Sequence, residues 1–265
     1  MSDLGFTCIA GLADLVPLDL YSVRRAAATL APRARLTIDR RPVWADEPSM
    51  VVDFGGHRLV VHAARGRIPD KEYFDAVAGN LFWPAAGDEM ARHQAYLAIA
   101  AERPAGNPAG AREQAVAITR LMVAFAQAVP ILGLHWVGTG AMVSPERLAR
   151  TPREIDLGHW PVDIWLGYSV FGTDRPGESL VLGARTLGAT GFVGCELELP
   201  PEPVSEKIEP IRTVFDAVRA LLTEERHAED GAVIEGRGPQ RRDFRLEREG
   251  NVARLVAHDR QSASG

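Results

Sequence analysis

The sequence predicts an α+β protein, with mixed or antiparallel sheets covered by helices. Three observations predict it. Short apolar runs bounded by glycine and proline recur along the chain, as strands do. Longer stretches space their apolar residues by three and four, as amphipathic helices do. The strand-like runs come in groups, so that each half reads as helix, several strands, helix, strand. That order fits one continuous α+β domain. It equally fits two similar halves, each a ferredoxin-like split βαβ unit.

The first half begins with a short apolar strand, Gly5–Ala10. Asp19 caps a helix to Leu30, with Leu20, Val23, Ala27 and Leu30 on one face, and Pro32 stops it. Residues 35–40 alternate as a half-buried strand does, and 41–49 form a loop with Pro42 and Pro48. Strands 50–54 and 58–63 flank Gly55-Gly56, a strong hairpin signal, with His57 exposed at its tip. Pro69-Asp70 opens a helix with Tyr73, Phe74, Val77 and Leu81 on one side, and Trp83-Pro84 ends it. Residues 94–101 are again a strand.

A Pro/Gly/Asn loop, Arg103–Gly110, reads as a seam, giving halves 1–103 and 108–258 and a frayed tail 259–265. Asn107 is an N-cap with Pro108 at the first helical position. The helix behind it is the clearest in the chain: Ala115, Ile118, Leu121, Met122, Phe125 and Val129 form its apolar stripe. The stretch Ile131–Thr139 follows, bounded by Pro130 and Gly138, and reads as a strand buried on both faces. Ser144-Pro145 starts a short helix, and 151–161 reads as a loop. Strands are expected over 162–171, 180–187 and 191–199, with Pro200, Pro201 and Pro203 stiffening the exit. A helix over 208–223 holds Pro210 in its first turn, and three short strands finish the chain, with a turn at Glu249-Gly250-Asn251.

Composition bounds the function. A chain of 265 residues, 46% hydrophobic and 25% charged, buries a sizeable core without staples. The net charge of −5 argues against nucleic acid as the main partner. Only Lys71 and Lys207 are lysines, so positive charge is nearly all arginine, as in GC-rich bacterial genomes. The arginines after residue 236 alternate with acids, which suits a solvated, salt-bridged strand edge. No stretch has the apolar length of a membrane span, and the N-terminus shows no signal peptide. Cys8 and Cys195 lie in apolar segments, which suits buried free thiols; a disulfide between them is open but not needed, and a reduced, cytoplasmic protein is expected.

Candidate chemistry is sparse. His135 sits inside the central strand, where a histidine is either a hydrogen-bonded core residue or an imidazole presented to a ligand. Glu196 and Glu198 are two apart on one strand and share a face, as paired carboxylates or as the polar side of a half-buried strand. Gly138 and Gly140, like Gly183, Gly188 and Gly191, read as turn glycines, because no Gly-Lys-Ser/Thr or dinucleotide pattern accompanies them. The scattered histidines make no metal spacing, and no Gly-x-Ser-x-Gly elbow occurs. No cofactor is implied.

Several segments taken together resemble the domain-of-unknown-function family numbered 4261. They are LVVHAARGRIP, FWP, RHQAYLAIA, GLHWVGTGAMVSPE, the strand at Trp165, and TLGATGFVGCELEL with its Thr/Gly run ahead of Glu-x-Glu. The resemblance covers most of the chain. It implies a bacterial, cytoplasmic α+β protein and supplies no catalytic residues. Families of this kind include immunity and accessory proteins of secretion and toxin systems, so a protein partner is expected. His135, Trp136, Thr139, the His159-Trp160 loop, Glu196 and Glu198 are the candidate surface, aromatic anchors beside carboxylates. The alternative is an enzyme or small-ligand binder with a pocket near His135 and the Glu196/Glu198 pair.

Overall fold

Two sheets, each with its own helices, make up the chain. A computed structural model describes residues 6–39, 49–69, 72–78, 80–174, 179–235 and 242–258. The chain divides into two compact units, Met1–Leu157 and Gly158–Gly265. The architecture is α+β. The loop 103–110 lies within the first unit, because the helix behind it packs on that unit's own sheet and first helix.

The first unit contains β1 (Thr7–Leu12), α1 (Leu20–Leu30), β2 (Thr37–Asp39), β3 (Ser49–Phe54), β4 (His57–Arg65) and α2 (Glu72–Ala78). It continues with α3 (Ala86–Met90), β5 (Ala95–Ala101), α4 (Pro108–Ala128), β6 (Ile131–Trp136), β7 (Ala141–Val143) and α5 (Pro145–Asp156). The strands form one seven-stranded sheet in the order β2-β3-β4-β5-β1-β6-β7, antiparallel throughout. The expected loop over 41–48 and the Pro69-Asp70 helix start at Asp70 lie outside the described residues.

Local chemistry sets the ends of these elements. The Asp19 carboxylate accepts the N–H groups of Tyr21 (3.0 Å) and Ser22 (3.2 Å), which fixes the start of α1. The Asn107 side chain accepts the Gly110 N–H at 2.8 Å, with Pro108 inside the first turn of α4. Gly55 and Gly56 have φ of +60° and +83°, the two left-handed positions a tight two-residue hairpin needs, and Phe54 pairs with His57 across them. His57 is partly buried there, since it pairs within β4 instead of standing free at the tip.

The sheet buries both faces. On one, Cys8, Ala10, Leu12, Leu59, Val61, Leu97, Ile99, Leu134 and Trp136 are 0–1% exposed, and α4 packs on β4 and β5. On the other, α2 and α3 cover Ile9, His135 and Met142. Gly11 and Gly133 pair in register on this second face. A Cβ on Gly133 would lie 2.4 Å from the Trp83 ring and 2.7 Å from the Met90 sulfur. The two glycines form a bare notch into which Trp83 and Met90 pack.

Two elements differ from expectation. Helix α2 ends at Ala78, because the Asn80 side chain takes over: it accepts the Trp83 N–H at 2.7 Å and donates to the Met142 carbonyl at 3.3 Å. Tyr73 is buried while Phe74 is 65% exposed, and Leu81 falls beyond the helix, so the four apolar residues do not share one side. Residues 151–156 belong to α5, which runs through Pro152. A proline inside a helix costs about 3 kcal/mol. It is offset by burial of Leu148, Thr151, Pro152 and Ile155, and by a two-pronged pair between Arg147 and Glu154, 2.9 Å at each prong.

The second unit contains α6 (Val162–Trp165), β8 (Gly167–Thr173), β9 (Val181–Leu187), α7 (Thr190–Val193), β10 (Glu196–Pro203) and α8 (Glu209–Thr223). It closes with β11 (Val233–Ile234), β12 (Asp243–Glu249) and β13 (Val252–His258). Its six-stranded sheet runs β11-β12-β13-β10-β9-β8, with β10 and β13 parallel and the other pairs antiparallel. Helix α8 lays Ile211, Val214, Phe215, Val218, Leu221 and Leu222 on this sheet, with Tyr168 edge-on to Phe215 at 6.2 Å. The strand orders of the two units differ, and neither is the four-stranded ferredoxin-like order. The tail after His258 lies outside the described residues.

Here too the expected strands shift. Residues 162–165 form a helical turn that buries Val162, Ile164 and Trp165 together, which an alternating strand cannot do. The Trp165 ring stacks on Phe192 at 5.5 Å. Residues 190–193 are likewise a helical turn, closed by Gly194 at φ +91°. Strand β10 instead continues through Pro200, Pro201 and Pro203, with a register shift between Leu199 and Glu202. Gly183 lies under that irregularity; a Cβ there would meet the Leu199 carbonyl at 2.4 Å.

Candidate functional site

The sequence candidates fall in both units. His135, Trp136 and Thr139 belong to the first; His159, Trp160, Glu196 and Glu198 belong to the second.

His135 and Trp136 are neighbours on β6 and therefore point to opposite faces. His135 is 0% exposed, between Ile9 and Met142 in register, with its ring edge-on to Tyr73 at 5.8 Å. Trp136 is also fully buried, with Phe6 edge-on at 6.3 Å. Thr139 pins the β6–β7 turn: its hydroxyl accepts the Ala141 N–H at 3.2 Å and faces the Trp136 carbonyl at 3.4 Å. These three side chains are interior, so they offer no surface to a protein partner.

In the second unit His159 is exposed. Trp160 is half-buried, its ring 6.4 Å from Trp165, and its carbonyl accepts from Arg219 Nε at 3.2 Å. Glu196 and Glu198 share the less buried side of β10, between inward-facing Leu197 and Leu199. Each carboxylate is already engaged. Glu196 accepts the hydroxyls of Thr186 (2.7 Å) and Thr190 (2.8 Å) and the N–H groups of Gly188, Ala189 and Thr190, each at 3.1 Å. The run Thr186-Leu-Gly-Ala-Thr190 therefore wraps the protein's own carboxylate and fixes the β9–α7 turn. Glu198 lies between Arg185 (3.8 Å) and Arg254 (3.4 Å), and Arg254 also reaches Glu249 at 3.3 Å. In register, Arg185, Glu198, Arg254 and Glu247 form a row of alternating charge across β9, β10, β13 and β12. These contacts make both glutamates parts of the scaffold.

Three features carry no sequence pattern. The first is an interior cluster in which Tyr73 lies edge-on to both His93 (5.5 Å) and His135 (5.8 Å). His93 is 2% exposed. Its Nε2 accepts the Ile68 N–H at 3.0 Å and its Nδ1–H donates to the Met90 carbonyl. Both nitrogens are thus used by the neutral ring, and burial pushes its pKa below the usual histidine value. The residues meet through strand pairing and the α3 turn, so their sequence spacing shows nothing.

The second is a cleft of about 540 Å³ in the first unit, between the C-terminal ends of α1 and α4 and one face of α5. The third is a set of exposed apolar side chains around α2: Phe74 at 65%, Leu81 at 38% and Phe82 at 39%. Among the described residues no three His, Cys, Asp or Glu side chains are grouped to hold a metal ion. No helix among them is long and apolar enough to cross a membrane.

The fold therefore defines a two-unit α+β protein whose polar pairs serve the scaffold. No protein-family model matches the chain, and neither a curated protein nor a solved structure shows significant similarity to it.

Proposed function

We propose that this chain is a protein-interaction module that binds its partner through the α2 surface of the first unit. The observation that supports it is the exposure of Phe74, Leu81 and Phe82 within one short stretch. Fully burying an aromatic or leucine side chain gains about 1.5–3 kcal/mol, and aromatic side chains are favoured anchors of interfaces. Tyr73, next to Phe74, is rooted in the core, so the exposed ring stands on a fixed base. This surface replaces the one centred on His135 and Trp136, which are interior. The proposal extends to kinship with family 4261 and to a cytoplasmic immunity or accessory role in a bacterial secretion or toxin system. It rests there on the segments quoted above.

The test is affinity capture of the tagged protein from its host, followed by titration of the purified partner. A Phe74→Ser/Phe82→Ser variant should weaken the partner at least about tenfold, the equivalent of 1.4 kcal/mol, with an unchanged melting temperature. A partner that binds both forms equally overturns the assignment of the surface. A bait that captures nothing stoichiometric overturns the function.

A further inference from the structure

The cleft in the first unit has a different character from the α2 surface. Its walls are Leu30 from α1, Val123 and Ala126 from α4, Ile131 from β6, and Leu148 and Pro152 from α5. At about 540 Å³ it lies within the range of small-molecule sites. Two charged side chains stand in its lining, Arg153 and Asp156. Asp156 is neutralised by Arg120 at 2.5 Å. Arg153, one turn before the end of α5, has no ion pair among the described residues.

Three helical features meet at this cleft. Pro130 and Pro145 bound it where α4 ends and α5 begins. Pro152 has no N–H to give the Leu148 carbonyl, so that acceptor loses its donor within the helix. The cleft thus combines an aliphatic wall with one exposed cation, Arg153, that has no ion pair among the described residues.

We propose that this cleft is a binding site for a small aliphatic monocarboxylate, with Arg153 as the charge partner of the carboxylate. The aliphatic chain lies along Leu30, Ala126, Ile131 and Leu148. The already paired Asp156–Arg120 couple presents no free anion to repel it. A guanidinium is suited to this role, because its planar fork matches a carboxylate in two parallel hydrogen bonds. The site is independent of the α2 surface, and either can fail without the other.

The experiment uses the full chain, with octanoate and 1-octanol as probes, read by calorimetry and by amide chemical shifts. Saturable octanoate binding is expected, at least about fivefold tighter than octanol, with shifts concentrated at residues 30, 126, 131 and 148. Arg153→Gln should bring octanoate down to the octanol level and leave octanol unchanged. Ala149→Trp, which fills the cleft from an exposed position on α5, should abolish both with an unchanged circular dichroism spectrum. Equal affinity for the two probes, an unaltered octanoate affinity in Arg153→Gln, or shifts spread away from the cleft would each overturn the assignment. So would the absence of saturable binding to the wild type.

Discussion

Gly133→Ala adds one methyl group at the tightest contact in the first unit. The new Cβ would lie 2.4 Å and 2.7 Å from two ring carbons of Trp83 and 2.7 Å from the Met90 sulfur, where ordinary contacts begin at 3.4 Å. The Met90 thioether can swing aside. The indole cannot, because its residue is held by the 2.7 Å bond from its N–H to Asn80 and its ring N–H faces Glu89 at 3.4 Å. Trp83 must retreat by roughly 1 Å, or β6 must bend away from β1. Overpacking of a closed core costs about 1–3 kcal/mol, and a rigid ring against a sheet backbone belongs at the upper end. For a unit of this size that is a fall in melting temperature of roughly 5–10 °C. Urea unfolding of Gly133→Ala, Trp83→Leu and the double variant measures it. Trp83→Leu alone loses about 2–3 kcal/mol through its cavity. In that background the extra methyl should cost less than about 1 kcal/mol, a coupling of at least about 1 kcal/mol. Additive losses, or a Gly133→Ala variant as stable as the wild type, would refute the notch as the seat of Trp83.

Two further outcomes follow from the polar scaffold. Glu196→Gln keeps the shape but puts an amide N–H₂ where one acceptor oxygen stood, against the N–H groups of Gly188 and Thr190 or, with the amide turned over, against that of Ala189. It should cost about 2 kcal/mol after allowance for partial exposure, with faster amide exchange at Gly188, Ala189 and Thr190. His93 is held neutral, with a folded pKa below the ordinary 6.5. The unfolded chain therefore takes up a proton on His93 before the folded one does. The stability contributed by this group is complete above about pH 6.5 and is lost as pH falls from there through the folded pKa, at up to about 1.4 kcal/mol per pH unit. His93→Gln should flatten that limb of a denaturation-midpoint profile. An identical slope in both proteins would show that His93 titrates freely.

The sequence was most legible where a few adjacent residues decide the structure. The Asp19, Asn107 and Ser144 caps, the Gly55-Gly56 hairpin and the stripes of α4 and α8 each follow from chemistry within one or two turns. It was least legible where distant groups decide. Helix α3 carries no periodic stripe and exists because Trp83 and Met90 pack into the Gly11/Gly133 notch. Residues 151–156 read as loop and the β10 prolines as a stiff exit, yet burial and pairing within their units carry α5 through Pro152 and β10 through Pro200, Pro201 and Pro203. The candidate site had the same difficulty. Spacing correctly put Glu196 and Glu198 on one side of a strand, but their engagement depends on Thr186, Thr190, Arg185 and Arg254. The interior position of His135 depends on α2, a helix almost sixty residues earlier.

The charged row across the second sheet bears on how its strands find each other. A slip of one residue turns every apolar side chain outward, and the hydrophobic pattern forbids it. A slip of two keeps the faces and escapes that check. Between β12 and β13 such a slip in one direction sets Arg254 opposite Arg245 in place of Glu247, and like charges directly opposed repel. Between β10 and β13 it sets Glu198 opposite Val252 or Val256 and leaves a half-buried carboxylate with Arg185 at 3.8 Å in place of two arginines. The alternation of sign thus opposes one direction of a slip to which the apolar core is blind, while the other direction, which brings Arg254 opposite Glu249, is left to the β10 contacts.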